Sequence, residues 1–389
     1  MKIAVVVPGG VDRSGEYRVI PALIALIERL ALHIDVHVFA LSQESRPQVW
    51  ELAGARIHNV GADRTLFRAV RAIIAEHRTS PFSLVQSIWS GAPGFVAVAA
   101  GMILGLPRLV HVAGGELVAL SDIGYGGRLS WKGRLRERIV LHAATIVTAA
   151  STPMTEMLER LGVSAQRVPL GIDLNKWPLR EPLSRSPSEP GRLIHVASLN
   201  RVKDQTTLLR ALTELSAMHV EFQMDIVGED TLQGEMQAMS VRLGLSHKVR
   251  FHGFLPQRRL LPLVQDSHLM IVSSRHEAGP VALLEAAAAA VPTVGTAVGH
   301  IVEWAPDAAS AVPVGDAIAL ARAIAELLTD EKLRIRMARA ARLRAAHEDA
   351  EYTAHSFLAI YASILDRGSI SGAAIRLLRR DDADRAGDA

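Results

Sequence analysis

The sequence of 389 residues contains no cysteine, which excludes disulfide frameworks, thiolate-bound metals, iron–sulfur clusters and cysteine nucleophiles. Aromatic residues make up only 4%, too few for the base-stacking surfaces of nucleic-acid-binding proteins. The 43 basic residues nearly balance the 40 acidic ones, and a net charge of +3 also argues against a nucleic-acid partner. With 49% hydrophobic and 21% charged residues the composition is that of a folded globular chain, whose length predicts two or three domains.

Long apolar runs are also scarce. The run after Lys2, Ile3–Val7, is too short for the core of a secretory signal and predicts a first strand. The longest uncharged stretch, between Pro81 and Arg108, is interrupted by glycine and proline, so a buried strand and helix is favoured over a membrane span. We therefore expect a cytoplasmic protein, with peripheral association with the inner face of the membrane left open.

Short runs rich in valine, isoleucine and leucine alternate with longer amphipathic runs, a pattern typical of βα units around parallel sheets. The sequence thus predicts an α/β fold of two doubly wound, Rossmann-like domains facing across a cleft. The first domain is expected at residues 1–175 and the second at 192–350, joined by a proline-rich linker at 176–191. A helix at 351–366 is expected to pack back on the first domain, before a disordered tail at 367–389.

Eleven strands are expected in this arrangement, six before the linker and five after it. Their expected positions are Ile3–Pro8, Asp35–Ala40, Arg56–Val60, Leu84–Ile88, Leu109–Val112, Thr145–Ala149, Leu193–Ala197, Glu221–Val227, Val249–His252, Leu269–Ser273 and Thr293–Thr296.

The segment after the strand expected at 269–273 carries two carboxylates, Glu277 and Glu285. Pro280 favours the first turn of a helix, and free N–H groups at such a helix end suit a diphosphate or sugar hydroxyls. Glu285 lies in a run of alanine and leucine, where an unpaired carboxylate is strongly unfavourable. Ligand hydroxyls are one candidate partner for Glu285. The alternative is an arginine from another element, with Glu277 as a solvated loop acid.

These two residues form a Glu-x7-Glu pair that resembles the signature of retaining GT-B-fold glycosyltransferases of group 1, the glycogen synthase-like or glycosyltransferase family 4-like enzymes. Further segments resemble motifs of the family in the same order. They are residues 169–173 (the crossing between domains), 197–204 (the phosphate-binding segment), 249–256 (the base-binding loop), and 299–303 and 312–316, which follow the Glu pair.

The resemblance implies retaining transfer of a hexosyl or related sugar from a nucleoside-diphosphate sugar to an acceptor hydroxyl. It implies a front-face reaction in which the departing phosphate helps to take the acceptor proton, with no metal or other cofactor. The acceptor stays open among glycans, lipids and small molecules. The implied residues are Glu277, Lys203 and His111 for catalysis; Glu285, Arg201, Ser198, Ala278, Gly279, Pro280, Gly253, Phe254 and Gly10 for the donor; and Gly9, Glu116, Asp122 and Tyr125 for the acceptor.

Lys203 stands out because only six of the 43 basic residues are lysines. A lysine offers a compact charge to a diphosphate leaving group, whereas a solvated lysine at a helix start is the alternative. The family usually has an arginine where Ser198 stands. Either Arg201 supplies that charge or donor binding is weaker in this protein.

Other residues keep a structural alternative. The loop Pro8–Glu16 lacks the spacing of a dinucleotide or phosphate-loop fingerprint, so it can be a purely structural turn. His111 is expected at a strand end, where ligands bind, but a buried core histidine explains it equally well. Histidines and carboxylates show no spacing typical of a metal site. The arginines of residues 330–346 favour a solvated helix face over a membrane-binding one.

Two other functions remain open from the sequence. A nucleotide-sugar epimerase on the same fold would form product without an acceptor. A catalytically silent nucleotide-sugar-binding protein would keep its biological activity after Lys203→Ala.

Overall fold

The computed structural model describes residues 1–186 and 188–366, so the tail expected at 367–389 lies outside the described residues. Within the described chain there are two sheets with helices on both faces, one of eight strands and one of six. The two doubly wound α/β domains expected from the sequence are confirmed. Strand pairs in both sheets are parallel, apart from one antiparallel edge pair in the first sheet.

The first sheet has the order β3-β4-β2-β1-β5-β6-β7-β8, and five helices lie between its strands. The elements are β1 (Lys2–Val7), α1 (Pro21–Ala31), β2 (Asp35–Ala40), β3 (Gln48–Leu52), β4 (Ala55–Asn59), α2 (Thr65–Thr79), β5 (Leu84–Ile88), α3 (Ala92–Leu104), β6 (Arg108–Val112), α4 (Trp131–Ala143), β7 (Ile146–Ala149), α5 (Thr152–Arg160) and β8 (Gln166–Arg167).

The second sheet has the order β11-β10-β9-β12-β13-β14. Its elements are β9 (Gly191–Val196), α6 (Gln205–Ala217), β10 (Phe222–Val227), α7 (Glu235–Arg242), β11 (Val249–Gly253), α8 (Gln257–Gln265), β12 (Leu269–Val272), α9 (Val281–Ala288), β13 (Thr293–Thr296), α10 (Gly299–Trp304), β14 (Ala309–Val312), α11 (Ala317–Thr329) and α12 (Glu331–His347). Residues 350–366 form a further helix, α13.

Burial on both faces explains the continuous apolar strands of the chain. All six residues of β1 are buried, and so are all five of β5, because helices cover both sides of the sheet. Strand β5 and helix α3 occupy the long uncharged stretch noted in the sequence. No helix among the described residues is both long and apolar enough to cross a membrane.

Three strands were not expected from the sequence: β3, β8 and β14. Strand β3 pairs antiparallel with β4 at the sheet edge and is largely exposed, so its residues lack the apolar run of a buried parallel strand. Strand β8 has only two residues. Strand β14, with the sequence ASAV, is short and composed mostly of small side chains.

Helix α13 packs on the first domain. Phe357 and Tyr361 are fully buried in the same apolar cluster as Ile3 and Leu23 of the first domain. The Tyr361 hydroxyl donates a hydrogen bond to the side chain of Gln86 in β5. The first domain is therefore built from two separate parts of the chain.

The chain crosses between the domains near Gly171. The N–H of Gly171 donates to the Thr353 hydroxyl at 2.9 Å, and the N–H of Ala350 donates to the carbonyl of Ile172 at 2.9 Å. A Cβ at Gly171 would lie 2.1 Å from the carbonyl carbon of Asp349, so only glycine lets the two crossing segments approach this closely. The segment around Gly171, where the chain enters the second domain, thus packs directly against the segment around Ala350, where it returns to the first.

The proline-rich segment expected as the linker at 176–191 lies along the second domain. Trp177 is buried in the apolar core of that domain, and the N–H of Arg180 donates to the carbonyl of Ala288 at 3.0 Å. The guanidinium of Arg334 binds the carbonyl of Leu183 at 2.5 Å. These contacts attach the segment to the second domain, so it is not a flexible linker between the two domains.

Candidate functional site

The candidate site lies at the carboxyl ends of β9 and β12, neighbouring strands at the point where the order of the second sheet reverses. Ligands bind at such points because the loops that leave the two strands run to opposite faces of the sheet. Residues 197–204 leave β9 and residues 273–280 leave β12. The second loop contacts the first domain, where His276 Nε2 donates to the carbonyl of Gly114 at 3.2 Å.

Lys203 and Glu277 form an ion pair between these two loops. Lys203 Nζ lies 2.5 Å from Glu277 Oε1, and the Ser274 hydroxyl donates to the same oxygen at 2.6 Å. The Lys203 side chain keeps 26% of its surface exposed, so a ligand can reach it. The structure therefore brings two of the three expected catalytic residues together, and Ser274 is an addition that the sequence analysis missed.

The backbone around Lys203 is held in place by short-range contacts. Its N–H donates to the side chain of Asn200 at 3.1 Å, and its carbonyl accepts from the Ser273 hydroxyl at 2.8 Å. Asp204 then caps α6, because its carboxylate accepts from the N–H of Thr207 at 3.2 Å. The ammonium group is thus presented from a fixed backbone.

A buried hydrogen-bond chain positions the residues that precede Lys203. Gln205 Nε2 lies 3.1 Å from His195 Nε2 and 3.1 Å from the carbonyl of Ser198. Burial lowers the pKa of His195 to about 4, so the imidazole is neutral and donates through Nδ1 to the carbonyl of Ile271. The neutral Nε2 then accepts from Gln205. Neither His195 nor Gln205 was singled out from the sequence.

A cavity of about 230 Å³ lies between the domains, and Glu285 lines it. Glu285 is only 5% exposed and accepts a hydrogen bond from Gln257 Nε2 at 3.0 Å. Burial raises the pKa of Glu285 to about 7, and the Gln257 hydrogen bond opposes this rise. Glu285 forms no ion pair with any residue that the structure describes, so the alternative of an arginine partner is not seen.

Residues of the first domain close over this cavity. Glu16 Oε1 lies 2.7 Å from Arg258 Nε, and the ring centroids of Tyr17 and Phe254 are 6.0 Å apart. Phe254, which was expected to bind the donor, lines the cavity, although half of its surface is exposed. Gly253 precedes it with a φ of 66°, which allows the turn. The contributions of Tyr17 and Arg258 were not predicted.

Ser198 lines the cavity, but Arg201 does not occupy the place expected for it. Both terminal nitrogens of Arg201 bind the carboxylate of Glu235, at 2.8 and 2.5 Å, on the exposed surface of α7. The Glu235 carboxylate raises the pKa of this guanidinium. Arg201 therefore does not bring a positive charge to the cavity beside Ser198.

His111 lies inside the first domain, beside helix α13. It is fully buried, its Nδ1 lies 2.9 Å from the Thr148 hydroxyl, and its ring meets Phe357 of α13 edge-on at 5.5 Å. Burial lowers its pKa to about 3. Alternation along β6 turns this side chain towards the face that α13 covers, which favours the structural alternative, although His111 Nε2 has no hydrogen-bond partner among the described residues. The catalytic role of His111 stays a prediction.

Residues 278–280 lie at a tight contact between the domains. The carbonyl of Ala278 accepts from the Ser151 hydroxyl at 2.5 Å, and a Cβ at Gly279 would lie 2.9 Å from the ring of His300. Pro280 is the N-cap of α9. These residues therefore fix the start of α9, with its free N–H groups, relative to the first domain.

Gly9 and Gly10 are engaged within the first domain. The side-chain carbonyl of Gln43 accepts from the N–H of Gly10 at 2.7 Å and from that of Val11 at 3.0 Å. Gly10 has a φ of 80°, and a Cβ there would lie 2.6 Å from Ile20. A Cβ at Gly9 would come within 3.3 Å of Gln43. The structure thus favours a structural turn here, since Gln43 already uses the N–H of Gly10.

The three residues expected to face the acceptor differ in their surroundings. Asp122 binds Arg275 with both carboxylate oxygens, at 2.5 and 3.1 Å, and this hydrogen bonding lowers its pKa. Burial raises the pKa of Glu116, whose Oε1 accepts from the N–H of Ser90 at 3.0 Å. Burial also raises the pKa of Tyr125 to about 12, with Glu277 adding to the effect. Tyr125 therefore comes close to the Lys203–Glu277 pair.

One group of possible metal ligands occurs among the described residues, formed by His37, His58 and Glu76. Lys2 Nζ already binds the Glu76 carboxylate at 2.8 Å, which places a positive charge inside the group. Lys2 begins β1, at the end of the sheet opposite the cleft. These residues therefore belong to a structural network separate from the candidate site.

Two family models match the chain. A model described as "Glycosyl transferases group 1" matches residues 181–344, and one described as "Glycosyl transferase 4-like domain" matches residues 19–171. The chain is 26% identical to a D-inositol 3-phosphate glycosyltransferase of Salinispora arenicola, over 91% of this chain and 88% of that protein. It is 28% identical to a glycogen synthase of Mycobacterium tuberculosis over 53% of this chain, and the match spans 50% of that relative's length.

Solved structures show the same fold. Sucrose-phosphate synthase from Thermosynechococcus elongatus superposes with a TM-score of 0.76 at 19% identity, over 94% of this chain and all of that one. Anabaena Alr3699/HepE, in complex with UDP and glucose, gives a TM-score of 0.71 at 18% identity, over 93% of this chain and all of that one. Both domains and their arrangement are thus shared. The two models together span most of both domains, and the chain belongs to the group 1 glycosyltransferases of the GT-B fold.

Proposed function

We propose that the protein transfers a sugar from a nucleoside-diphosphate sugar to an acceptor hydroxyl with retention of anomeric configuration. The Lys203–Glu277 pair carries this proposal, because it offers a cation and a carboxylate 2.5 Å apart at the reversal point of the second sheet. A diphosphate binds the cation, and sugar hydroxyls donate to the carboxylate. The UDP and glucose bound by Anabaena Alr3699/HepE support a UDP-sugar as the first donor to test.

The bond that breaks joins the anomeric carbon to a diphosphate oxygen, and its electron pair leaves with the diphosphate. Lys203 and the free N–H groups at the start of α9 stabilise the negative charge that develops there. Glu277 Oε1 is held by Lys203 and Ser274, so we assign hydrogen bonding to the sugar, rather than nucleophilic attack, to this carboxylate. The acceptor oxygen bonds to the anomeric carbon on the face that the diphosphate leaves, and the departing phosphate accepts the acceptor proton there, so the configuration is retained.

Glu285 is assigned to the ribose of the donor. Its buried carboxylate lines the interdomain cavity, where two ribose hydroxyls can donate to it and compensate its lost hydration. The Glu16–Arg258 and Tyr17–Phe254 contacts then close this cavity from the first domain and keep water away from the reacting bond.

Thermal shift measurements with UDP-, GDP- and ADP-sugars, followed by product analysis, test the proposal. One donor should raise the melting temperature, and incubation with an acceptor should give a glycoside whose anomeric proton coupling in NMR matches that of the donor. A lack of stabilisation by every donor would exclude the proposal. A new sugar nucleotide formed without acceptor would instead indicate an epimerase.

A catalytically silent binding protein is the second candidate, favoured by one observation. Ser198 stands at the donor cavity without a compensating charge from Arg201, which binds Glu235. Such a protein would be stabilised by a donor but would form no product with any acceptor. The same two measurements therefore distinguish it from an active transferase.

Donor affinity should depend on pH through Glu285. Two donated hydroxyl hydrogen bonds favour the ionised carboxylate, while the free site has a raised pKa of about 7, so binding releases a proton. Affinity for the nucleotide sugar should therefore fall about tenfold from pH 8 to pH 6 in calorimetric titrations. Glu285→Gln is the control, and its affinity should be weak and independent of pH. A wild-type affinity that is constant over this range would contradict the assignment of Glu285.

A further inference from the structure

Helix α4 exposes an apolar stripe, defined here as Trp131, Leu135 and Ile139. These side chains are 63%, 50% and 49% exposed, and they lie four residues apart on one face of the helix. The opposite face packs Val140 and Leu141 into the core of the first domain. A surface helix normally turns its apolar residues inwards, so a second apolar face indicates a contact with something outside residues 1–186 and 188–366.

Basic residues border this stripe on both sides. At 100° per residue, Lys132 and Arg136 follow the stripe on one side, and Arg134 and Arg138 follow it on the other. All four side chains are exposed. The single acid of α4, Glu137, is buried and bound to Arg128 at 3.2 Å, so the exposed face of the helix carries positive charge alone.

The neighbouring helix α3 also exposes apolar side chains. It packs closely against α4, since a Cβ at Gly94 would lie 2.8 Å from Val140. Phe95, Met102 and Ile103 of α3 are exposed, and the helix contains no charged residue.

A groove between α4 and α5 adds a basic recess beside the stripe. Its volume is about 480 Å³, with Leu141 and Val163 among its apolar lining residues. Arg134, Arg138 and Arg160 also line it. A recess that combines apolar side chains with several guanidinium groups matches the chemistry of a phosphate headgroup with its adjoining acyl chains.

We propose that α4 and α3 form a docking surface for an anionic lipid bilayer. The apolar stripe would enter the boundary between headgroups and acyl chains, while the flanking cations bind lipid phosphates. Helix α4 begins shortly after the loop that holds Asp122 and Tyr125, so docking would place the interdomain cleft beside the headgroups. The charge pattern favours a lipid surface over a second copy of the chain, because two such faces would repel each other.

Helix α12, the other basic helix, fits this role less well. Arg334 is only 1% exposed and binds Glu331 and the carbonyl of Leu183, and Arg342 binds Glu181. These arginines are used in contacts within the second domain. The expectation of a wholly solvated face on residues 330–346 is therefore wrong at Arg334.

Vesicle binding tests the docking surface directly. Full-length protein should co-sediment with vesicles of phosphatidylcholine and phosphatidylglycerol, but not with phosphatidylcholine alone, and added salt should weaken the binding. Trp131 is the one tryptophan of the five that is mostly exposed, so anionic vesicles should also shift its fluorescence to shorter wavelength. The stripe variant Trp131→Ser/Leu135→Ser/Ile139→Ser should lose at least about tenfold in partition coefficient.

A charge variant and a matched control separate this surface from general basicity. Lys132→Gln/Arg134→Gln/Arg138→Gln should lower partitioning onto anionic vesicles about a hundredfold. The control Lys332→Gln/Arg336→Gln/Arg339→Gln on α12 removes equal charge and should bind nearly as wild type. A lower melting temperature would reveal unfolding in a variant. Because the substituted side chains are exposed, we expect the melting temperature to stay that of the wild type.

Three outcomes would overturn the proposal. They are failure of the wild type to bind anionic vesicles, equal binding by the stripe variant, and a lipid-free dimer that the stripe variant dissociates. Donor binding, measured by thermal shift, should be the same in the stripe variant and the wild type. Failure of the docking surface is therefore distinguishable from failure of the proposed sugar transfer.

Discussion

Replacement of Lys203 by alanine should lower the kcat of sugar transfer about a hundredfold to a thousandfold. The ammonium is the group placed to neutralise the leaving diphosphate, and the charge it opposes grows as the sugar–phosphate bond breaks. In the wild type this ammonium lies 2.5 Å from the Glu277 carboxylate. Its loss therefore also leaves Glu277 as an uncompensated negative charge near the diphosphate. Steady-state kinetics with the preferred donor should show the main effect in kcat, with a smaller rise in KM.

Arg201→Ala is the matched control, since it removes a positive charge from the same loop. Arg201 binds Glu235 on the exposed surface, and such pairs contribute little, so kcat should stay within about twofold of the wild type. If both variants lost activity equally, the loss would reflect the positive charge of the loop in general and not the position of Lys203. If neither variant lost activity, a group other than Lys203 would stabilise the leaving diphosphate.

Replacement of Gly171 by alanine should destabilise the whole molecule by at least about 3 kcal/mol. The new Cβ would lie 2.1 Å from the carbonyl carbon and 2.2 Å from the carbonyl oxygen of Asp349. Because both contacts are with backbone, no side chain can move aside to relieve them. The two crossing segments must separate, which also breaks the hydrogen bond from Gly171 to Thr353. Urea unfolding curves at neutral pH measure the loss.

Gly162→Ala provides the comparison. Gly162 has a φ of 75° and open space around it, so alanine there meets only the strain of a left-handed backbone, about 1 kcal/mol. A Gly171→Ala variant that unfolds at the same urea concentration as Gly162→Ala would show that the crossing segments separate without cost.

The positions of strands and helices follow from local patterns. All eleven expected strands coincide with observed ones. Continuous burial on both faces marks central strands such as β1 and β5, whereas β4 and β11 alternate buried residues with more exposed ones. The edge strand β3 has no such run, and its place is set by pairing with β4. The doubly wound topology was likewise predictable, because βα alternation permits few other arrangements.

Within the site, residue types were predictable and contacts were not. The resemblance of the Glu-x7-Glu pair and of residues 197–204 to family motifs predicts Lys203, Glu277 and Glu285 as site residues, but nothing local indicates that residues 203 and 277 touch. The missing arginine at Ser198 suggested Arg201, whereas the structure pairs Arg201 with Glu235, an acid 34 residues away.

His111 illustrates the limit of strand-end arguments. Its position near the end of β6 is compatible with either face of the sheet, and the deciding element is α13, more than two hundred residues later in the chain. A local pattern cannot reveal that a distant helix will cover that face. The same holds for Gly10, whose N–H is taken by Gln43 from another loop.

The split first domain has a consequence for how the protein is made. During synthesis the second domain is complete once α12 has left the ribosome, whereas the first domain still lacks α13. The apolar surface of the first domain around Ile3 and Leu23 therefore stays exposed until nearly all of the chain has been translated. The half that is made first finishes folding last, and nascent chains halted before residue 350 should be bound by chaperones.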